Sequence, residues 1–412
     1  MNCGLIGRKL GHSYSCQIHQ VLADYSYQLL ELEPEELDPF LRRRDFDGIN
    51  VTIPYKQQVI PFLNGISDMA RSIGAVNTIV NRDGRLYGYN TDFAGMTALI
   101  RRLGLDLTGK KVLILGTGGT SKTARAVAEH LGAGEICRLS RSGREGAVTY
   151  EQAKQLHGDA AVLINTTPCG MYPAVDACPV DLENFPRLEG VVDAVYNPLR
   201  TELVLAARRR GIPAEGGLYM LAAQAVYASA LFRGCETAEA DIDLAYRTVL
   251  HQVENIVLIG MPSSGKTTIG RMLAERTGKT FTDTDALVEK KIGTTIAEFF
   301  RSSGEGAFRE KEREAVAEAA AVGGQVIATG GGAILQEENV RALRRNGLLV
   351  FLDRPVEQLT ATADRPLASD REALRRRYQE RYGLYCAAAD ICVKNDGSME
   401  KTVEQIEREW RK

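Results

Sequence analysis

Short apolar runs alternate with segments of helical periodicity along almost the whole chain. Runs of five or six mostly apolar residues predict strands, and the run at 254–259 in particular suits a buried parallel strand, because strands covered on both faces lack regular polar positions. The predicted strands are residues 27–32, 48–52, 111–115, 135–139, 161–165, 191–195, 254–259, 325–329 and 348–353. Segments such as 238–251 and 268–276 have helical periodicity. This alternation is typical of the α/β class with parallel sheets.

The composition limits the kinds of protein and partner that fit this pattern. A chain of 412 residues, 44% hydrophobic and 25% charged, predicts two or three globular domains. A net charge of −2 without a long basic run argues against nucleic acid or an anionic membrane surface as the main partner. The eight cysteines lack paired spacing, and neither a signal-peptide pattern nor an apolar stretch of membrane-spanning length is found. We therefore expect a cytoplasmic protein that acts on small molecules.

One glycine-rich loop has the spacing of a nucleotide site. Residues 260–267 read Gly-Met-Pro-Ser-Ser-Gly-Lys-Thr, which fits G-x-x-x-x-G-K-[ST] between a predicted strand and a predicted helix. In this motif backbone N–H groups cradle phosphates, the lysine reaches the β- and γ-phosphates, and the hydroxyl binds Mg²⁺. ATP and Mg²⁺ are therefore predicted. The candidate nucleotide-binding residues are Gly260, Ser263, Ser264, Gly265, Lys266, Thr267 and Thr268.

A second glycine turn follows the predicted strand 111–115. It reads Gly-Thr-Gly-Gly-Thr-Ser-Lys from residue 116, a departure from the G-x-G-x-x-G spacing of dinucleotide folds. The next predicted strand ends in Ser-Arg-Ser-Gly-Arg at 140–144, where NAD enzymes place an acidic residue for the ribose 2′-hydroxyl. A guanidinium there suits a 2′-phosphate, which favours NADP(H) over NAD, with a merely solvated Arg141 as the alternative. The candidate cofactor-binding residues are Gly116, Gly118, Gly119, Thr120, Ser140, Arg141, Ser142 and Arg144.

Seven motifs in the first 250 or so residues resemble those of one enzyme family. They are LGHSYS (10–15), NVTIPYK (50–56), GAVNT (74–78), YNTD (89–92), NTTP (165–168), YNP (196–198) and GLYMLAAQ (217–224). In this order they resemble shikimate dehydrogenase, which reduces 3-dehydroshikimate to shikimate with NADPH. The resemblance implies Lys56 and Asp92 as the catalytic pair, and a lysine protonated at neutral pH can supply the proton that the reduced ketone needs. The implied substrate-binding residues are Ser13, Ser15, Thr52, Asn77, Tyr196 and Gln224.

The C-terminal part, from about residue 254, resembles shikimate kinase. Beyond the phosphate loop the matching motifs are FTDTD (281–285), GEGAFREKE (304–312), GGG (330–332), RPL (365–367) and RYGLY (381–385). The resemblance implies that Asp283 helps Thr267 to hold Mg²⁺ and that Asp285 grips the reacting hydroxyl. It also implies that Arg309 and Arg381 bind the carboxylate of shikimate. Gly331 and Gly332 would allow a close approach to the substrate, and Arg365 would lie on a closing lid at 361–371.

These expectations together describe a bifunctional α/β enzyme. We predict a shikimate-binding subdomain of residues 1–93 and 219–250, a Rossmann-type NADP subdomain of residues 94–218, and a P-loop kinase domain of residues 254–412. One alternative is a quinate- or shikimate-sensing regulator without turnover, and another is an NAD-dependent quinate dehydrogenase in the N-terminal half. A monomer and a homodimer both stay open.

Overall fold

The computed structural model of the chain divides into two compact units, Met1–Leu250 and His251–Lys412. It describes residues 1–11, 13–144, 146–359 and 371–411. Both units are built from β-sheets and α-helices in alternation, so the predicted α/β class is confirmed. No helix in these ranges combines the length and the apolar composition that crossing a bilayer requires.

The first sheet of the N-terminal unit has six strands in mixed orientation. They are β1 (Asn2–Gly7), β2 (Ser26–Glu31), β3 (Gly48–Val51), β4 (Gly65–Ile66), β5 (Thr78–Arg82) and β6 (Arg85–Tyr89), in the order β2-β1-β3-β5-β6-β4. Strand β1 is parallel to β2 and β3, whereas β5 is antiparallel to β3 and β6. Asp83 and Gly84 join β5 to β6 with φ values of 51° and 77°. Two consecutive positive φ values form the tight hairpin turn that an Asp-Gly pair favours.

The second sheet of this unit has five strands, all parallel. They are β7 (Lys111–Leu115), β8 (Glu135–Leu139), β9 (Val162–Asn165), β10 (Gly190–Asp193) and β11 (Ala214–Glu215), in the order β11-β10-β9-β7-β8. Because β8 and β9 lie on opposite sides of β7, the strand order reverses at β7. Ligands of open parallel sheets bind outside the carboxyl ends of the strands at such a point. The glycine turn that follows β7 is therefore in the position of a cofactor site.

Nine helices accompany these two sheets in the described part of the unit, and the last of them extends three residues beyond Leu250. They are α1 (Ser15–Leu22), α2 (Pro34–Arg43), α3 (Asp68–Ile73), α4 (Thr91–Arg102), α5 (Gly119–His130), α6 (Tyr150–Leu156), α7 (Glu202–Arg209), α8 (Leu218–Arg233) and α9 (Glu239–Val253). Helices α4 and α8 approach closely at Gly95, where a Cβ atom would lie 2.6 Å from the Met220 carbonyl oxygen. This approach brings the residues at the start of α4 next to those of α8.

The C-terminal unit contains a third sheet of five parallel strands. They are β12 (Asn255–Ile259), β13 (Thr280–Asp283), β14 (Gln325–Ala328), β15 (Gly347–Asp353) and β16 (Ile391–Lys394), in the order β13-β14-β12-β15-β16. The helices are α10 (Lys266–Thr277), α11 (Thr284–Ile292), α12 (Ile296–Ala321), α13 (Glu337–Asn346), α14 (Arg371–Ala388) and α15 (Met399–Trp410). Alternate residues of β12 enter two separate apolar clusters, one on each face of the sheet. A strand covered on both faces explains why residues 256–259 are all apolar.

The strands predicted from apolar runs all coincide with observed strands, with small differences at their ends. The largest difference is at β10, which ends at Asp193, two residues before the predicted end. There the Asp193 carboxylate accepts a hydrogen bond from the Val195 backbone N–H at 3.0 Å, which turns the chain out of the sheet.

Helix α12 has a break that the sequence pattern did not indicate. Gly304 has φ 79° and ψ 174°, a backbone conformation that only glycine adopts readily. The break separates the first turns of α12 from the segment that carries Arg309 and Glu312.

The buried His19 of α1 makes the N-terminal unit sensitive to acid. Its imidazole is fully buried, stacks on the Tyr27 ring at 3.9 Å between centroids and is hydrogen-bonded to the Tyr25 hydroxyl. Burial lowers the pKa of His19 to about 3, so the unfolded chain takes up this proton near pH 6.5 and the folded chain does not. Stability is therefore lost as the pH falls below 6.5. We expect a loss of about 2 kcal/mol in the free energy of unfolding between pH 6.5 and 4.5 from this group alone.

Urea unfolding of the N-terminal unit, followed by circular dichroism at several pH values, measures this loss. In His19→Phe the free energy of unfolding should change less steeply with pH over the same interval. His130→Gln, which alters an exposed histidine at the end of α5, should keep the slope of the parent protein. Equal slopes for His19→Phe and the parent would show that His19 is not the responsible group.

Candidate active sites

The predicted catalytic pair of the N-terminal unit forms an ion pair. Lys56 follows β3, and Asp92 is the second residue of α4, whose first turn is capped by the Asn90 side chain. Lys56 Nζ lies 2.6 Å from Asp92 Oδ2, and the two side chains are 27% and 17% exposed. The pair therefore remains in reach of a ligand while each charge is partly shielded from water. A charged amine held in this way can donate a proton to a neighbouring oxygen.

Two predicted ring-binding residues lie beside this pair. Asn77 Oδ1 accepts a hydrogen bond from the Thr91 backbone N–H at 2.7 Å, and Asn77 Nδ2 donates to Thr91 Oγ1 at 3.1 Å. Thr91 Oγ1 also contacts Gln224 Oε1 of α8 at 3.4 Å. Thr52, the third residue predicted to bind ring hydroxyls, lies between β3 and Lys56. Its backbone N–H donates to the Ile6 carbonyl at 2.9 Å. Thr91 thus joins Asn77 to Gln224, a role that the sequence reading missed although Thr91 belongs to the YNTD motif.

Two serine hydroxyls converge at the start of α1. Ser13 Oγ donates to Ser15 Oγ at 3.1 Å and accepts from the Ser15 backbone N–H at 3.3 Å. The ring of Tyr14, between them, makes an edge-on contact with the ring of Tyr196 at 5.9 Å between centroids. Tyr196 follows β10 of the second sheet, and burial raises the pKa of its hydroxyl. The fold therefore brings Tyr196, which is far away in sequence, close to the two predicted carboxylate-binding serines.

The glycine turn after β7 lies tightly against the neighbouring strands. Gly116 has φ 109°, and its N–H donates to the Leu139 carbonyl at the end of β8 at 2.8 Å. A Cβ atom at Gly116 would lie 2.8 Å from Thr166 Oγ1, so a larger residue would not fit. Gly118 is the N-cap of α5, followed by Gly119 and Thr120 in the first turn. Backbone N–H groups at this helix start can bind phosphate.

The predicted 2′-phosphate site lies at the end of the adjacent strand. Ser140 Oγ accepts a hydrogen bond from the Gly143 N–H at 3.0 Å, which forms the turn that follows β8. Arg141, Ser142 and Arg144 lie on this turn, where both arginines are exposed. Their location at the same sheet edge as Gly116 is the arrangement expected for a bound dinucleotide.

The phosphate loop of the C-terminal unit connects β12 to α10. Ser263 and Gly265 have φ values of 63° and 93°, so the loop curls and its backbone can approach phosphate oxygens. Lys266 is buried, and its Nζ donates to the Gly260 and Met261 carbonyls, both at 2.8 Å. These bonds hold the amine over the loop.

Other nucleotide-binding candidates surround this lysine. Thr267 Oγ1 donates to Asp283 Oδ2 of β13 at 2.9 Å. Thr268 is exposed in the first turn of α10, and Ser264 is buried, with its carbonyl accepting from Asn395 Nδ2 at 2.7 Å. Thr267 and Asp283 together offer two oxygen atoms at the end of β13, the ligand type that Mg²⁺ prefers.

The predicted shikimate-binding residues of this unit surround the Gly330–Gly332 turn that follows β14. A Cβ atom at Gly330 would lie 2.5 Å from Asp285 Oδ1, and one at Gly332 would overlap the Arg309 guanidinium. Arg381 Nη1 of α14 donates to the Gly331 carbonyl at 3.1 Å. One carboxylate and two guanidinium groups therefore meet around a turn that has no side chains.

Glu312 is a residue of this site that the sequence reading did not single out. Its side chain is 2% exposed, and Oε2 lies 2.8 Å from Nη1 of Arg309, whose side chain is 13% exposed. Burial raises the pKa of Glu312, and the Arg309 charge opposes this effect. The pairing fixes the direction of the Arg309 guanidinium. The sequence feature that could have identified this pair is the i, i+3 spacing of Arg309 and Glu312 in the GEGAFREKE motif.

The predicted lid residue Arg365 and most of the predicted lid segment 361–371 lie outside the described residues. The other predicted site residues are all described. They form two groups, one in each unit.

Family comparisons match the two units separately. The family model described as shikimate kinase matches residues 262–411, and the model described as the shikimate dehydrogenase substrate binding domain matches residues 5–79. Shikimate dehydrogenase (NADP(+)) of Clostridium beijerinckii is 36% identical over 250 residues, covering 57% of this chain and 92% of that protein. The protein of the same name from Halothermothrix orenii is 40% identical over 260 residues, covering 56% and 90%.

Solved structures resemble the N-terminal part. A chorismate mutase/shikimate 5-dehydrogenase fusion protein from Clostridium acetobutylicum is 32% identical with a TM-score of 0.57, covering 60% of this chain and 96% of that chain. Shikimate 5-dehydrogenase from Thermus thermophilus, solved with NADP(H) and shikimate, is 30% identical with a TM-score of 0.54, covering 60% and 98%. Quinate dehydrogenase from Corynebacterium glutamicum, solved with NAD, is 27% identical with the same TM-score and coverage. A shikimate dehydrogenase and a quinate dehydrogenase thus share this fold, so individual residues must discriminate between shikimate and quinate.

Proposed function

Because the chain belongs to the shikimate dehydrogenase family and also carries a shikimate kinase domain, we propose that it catalyses two consecutive reactions of the shikimate pathway. The first reduces 3-dehydroshikimate to shikimate with NADPH. The second transfers the γ-phosphoryl group of ATP to the hydroxyl formed in the first, giving shikimate 3-phosphate. We assign the substrate of the first step to residues 1–93 and 219–250, NADP(H) to 94–218, and the second step to 254–412.

The ion pair between Lys56 and Asp92 is the observation that carries the first reaction. NADPH supplies the hydride to the carbonyl carbon of the substrate. The carbonyl oxygen then gains negative charge, and Lys56 donates a proton to it from Nζ. Asp92 Oδ2, 2.6 Å from Nζ, fixes the direction of the amine towards the substrate oxygen.

The surrounding polar groups can orient the substrate for this transfer. The hydroxyls of Ser13 and Ser15 would bind its carboxylate, with Tyr196 nearby. The side chains of Asn77 and Gln224, joined through Thr91, would bind ring hydroxyls beside Asp92. A rigid network of this kind lowers the entropy cost of holding the ketone near Lys56.

The charge at the end of β8 supports NADP(H) as the cofactor of this site. Arg141 and Arg144 are exposed on the turn after β8, and a guanidinium forms charge-assisted hydrogen bonds with a 2′-phosphate. NAD lacks this phosphate and commonly pairs with an acidic residue at this position. The arginines therefore argue against the NAD-dependent quinate dehydrogenase alternative.

The convergence of Asp285, Arg309 and Arg381 on the Gly330–Gly332 turn carries the second reaction. Arg309 and Arg381 would bind the shikimate carboxylate, and Asp285 would accept a hydrogen bond from the reacting hydroxyl and orient it. Thr267 and Asp283 fit Mg²⁺, since two oxygen atoms 2.9 Å apart leave room for waters and phosphate oxygens. Mg²⁺ would neutralise phosphate charge, and Lys266 would add a second positive charge from the loop.

A sensing regulator without turnover would need neither of these arrangements. A protein that only binds shikimate gains nothing from a proton donor beside the ketone or from a lysine buried in a phosphate loop. The joint presence of both arrangements supports catalysis in both units.

The proposal is tested by mixing the purified chain with 3-dehydroshikimate, NADPH and MgATP, and identifying products by mass spectrometry while NADPH absorbance is followed. We expect shikimate 3-phosphate with all components and unphosphorylated shikimate when ATP is left out. Adding shikimate directly with MgATP should give the phosphate without NADPH. If either unit is inactive on its own substrate under these conditions, the proposed function of that unit is wrong.

A further inference from the structure

The carboxylate of Asp193, at the end of β10, is fully buried and accepts hydrogen bonds from three donors. Asn165 Nδ2 and the Val195 backbone N–H donate to Oδ1 at 2.9 and 3.0 Å, and Thr201 Oγ1 donates to Oδ2 at 2.7 Å. The donors come from the end of β9, the loop after β10 and the N-cap of α7. Burying a carboxylate is costly unless its acceptors are satisfied, so this arrangement points to a specific role.

Through Asn165, Asp193 is connected to the glycine turn that follows β7. Asn165 Oδ1 accepts from the Thr167 N–H at 3.0 Å and from Thr167 Oγ1 at 2.7 Å. Thr166 Oγ1 donates to the Leu115 carbonyl, just before Gly116, at 2.6 Å. A Cβ atom added to Gly116 would lie 2.8 Å from Thr166 Oγ1 and 3.1 Å from Thr167 Cγ2. The 165–167 turn therefore forms the wall against which Gly116 packs.

Through the loop after β10, Asp193 is connected to the predicted substrate-binding residues Tyr196 and Gln224. The Ala194 N–H donates to the Asn165 carbonyl at 2.9 Å, which ties the 194–197 loop to the 165–167 turn. The Val195 carbonyl accepts from the Gly217 N–H at 2.8 Å, and Gly217 is the N-cap of α8, which carries Gln224. Tyr196 is the next residue of the loop. A displacement of Asp193 would therefore reach both predicted ligand sites of the N-terminal unit.

We propose that Asp193 is a positioning residue of the dehydrogenase reaction, which holds the wall of the cofactor turn and the Tyr196 loop in one fixed arrangement. Asp193 itself touches neither substrate nor cofactor in this role. It acts through Asn165 on the cofactor side and through Val195 on the substrate side, while Thr201 at the N-cap of α7 holds its second oxygen. The proposal rests on the proposed dehydrogenase function, because it assumes that shikimate and NADP(H) bind to these two loops.

Asp193→Asn is the variant that tests this role most directly. The change keeps the size of the side chain and leaves one oxygen for Asn165 and Val195, but it removes the charge and puts an amide N–H₂ opposite Thr201. A charge-assisted hydrogen bond is roughly twice as strong as a neutral one, so the loops should hold their arrangement less well. We expect kcat/KM for shikimate oxidation with NADP⁺ to fall about 10- to 100-fold. The KM for shikimate and the Kd for NADP⁺, measured separately, should both rise.

Two further variants are compared with Asp193→Asn. Asp181→Asn alters an exposed carboxylate that accepts one backbone N–H in the same unit, and it should behave as the parent chain does. Thr201→Val removes one of the three donors together with the N-cap acceptor of α7, which binds the Val204 N–H at 3.3 Å, and it should change the same parameters in the same direction by a smaller factor. It also provides the test if Asp193→Asn does not fold, as judged by circular dichroism.

The values of kcat, KM and Kd are calculated with the concentration of folded protein. If Asp193→Asn only melts earlier while kcat, KM and Kd per folded molecule equal those of the parent, Asp193 is structural and the proposal is overturned. If it does not fold, unchanged parameters in Thr201→Val overturn the proposal in the same way. An inactive parent chain would instead show that the dehydrogenase assignment itself is wrong.

Discussion

Replacing Lys56 with methionine is expected to lower the rate of 3-dehydroshikimate reduction by about 100- to 10,000-fold, while phosphorylation of added shikimate stays at the parent rate. Methionine preserves most of the length and apolar character of the side chain but carries no proton to give. The ion pair with Asp92, whose Oδ2 is 2.6 Å from Nζ, is also lost, which leaves a partly shielded carboxylate beside the ketone. The reduced product would then have to take its proton from water. The consumption of NADPH at saturating substrate measures the effect.

Lys110→Met is a matched control in the same unit. Lys110 also forms an ion pair at 2.6 Å, with Glu189, and its side chain is 29% exposed against 27% for Lys56. This variant should reduce 3-dehydroshikimate within about twofold of the parent, because a surface ion pair contributes little to stability. A reductase rate in Lys56→Met that matches Lys110→Met would rule out Lys56 as the proton donor.

Replacing Asp285 with asparagine is expected to lower shikimate phosphorylation by about 100- to 10,000-fold and to leave NADPH consumption unchanged. Asp285 is held by its own backbone N–H, which donates to Asp283 Oδ1 at 3.0 Å. Its carboxylate adjoins Gly330, opposite the two arginines that would bind the carboxylate of shikimate. An amide at this position accepts a hydrogen bond less strongly and does not favour loss of the hydroxyl proton. ADP formation with added shikimate and MgATP measures the rate.

The control for this variant is Asp390→Asn in the same unit. Asp390 is exposed, and its Oδ2 accepts a hydrogen bond from the Leu349 backbone N–H at 2.8 Å, which an amide oxygen can also accept. We expect parent-like kinase activity from it. Should Asp285→Asn phosphorylate shikimate as fast as Asp390→Asn, the reacting hydroxyl must be oriented by another group.

Local patterns were sufficient to predict nine of the sixteen described strands and the two nucleotide-binding turns, whereas β1, β4, β5, β6, β11, β13 and β16 were not predicted. The continuous apolar runs at 112–115 and 256–259 became interior strands of parallel sheets, because a run without polar positions can be covered on both faces. The turns after them also follow from local chemistry, since positive φ values at Gly116 and Gly265 require residues such as glycine. The family resemblance then supplied roles for residues whose own neighbourhood says little, such as Lys56 and Arg309.

The contacts that complete each site were not readable in this way. Glu312 is an ordinary helical glutamate in sequence, and only the packing of α12 beside the Gly330–Gly332 turn buries it against Arg309. Asp193 is a single acidic residue after a strand, and its three donors lie 28, 2 and 8 residues away along the chain. Such contacts depend on which strands become neighbours.

The sequence by itself determined the α/β class, the positions of the main strands, the phosphate loop and the residues that bear charge or a transferable proton. These properties are set by short stretches of chain, through periodicity, glycine content and side-chain chemistry. The tertiary structure decided the strand orders, the mixed orientation of the first sheet, and the meeting of Ser13, Ser15 and Tyr196 at one place. It also decided which carboxylates are buried, as for Glu312 and Asp193. The physical reason is that burial and hydrogen bonding between distant segments arise only when the whole core packs, so no local pattern contains them.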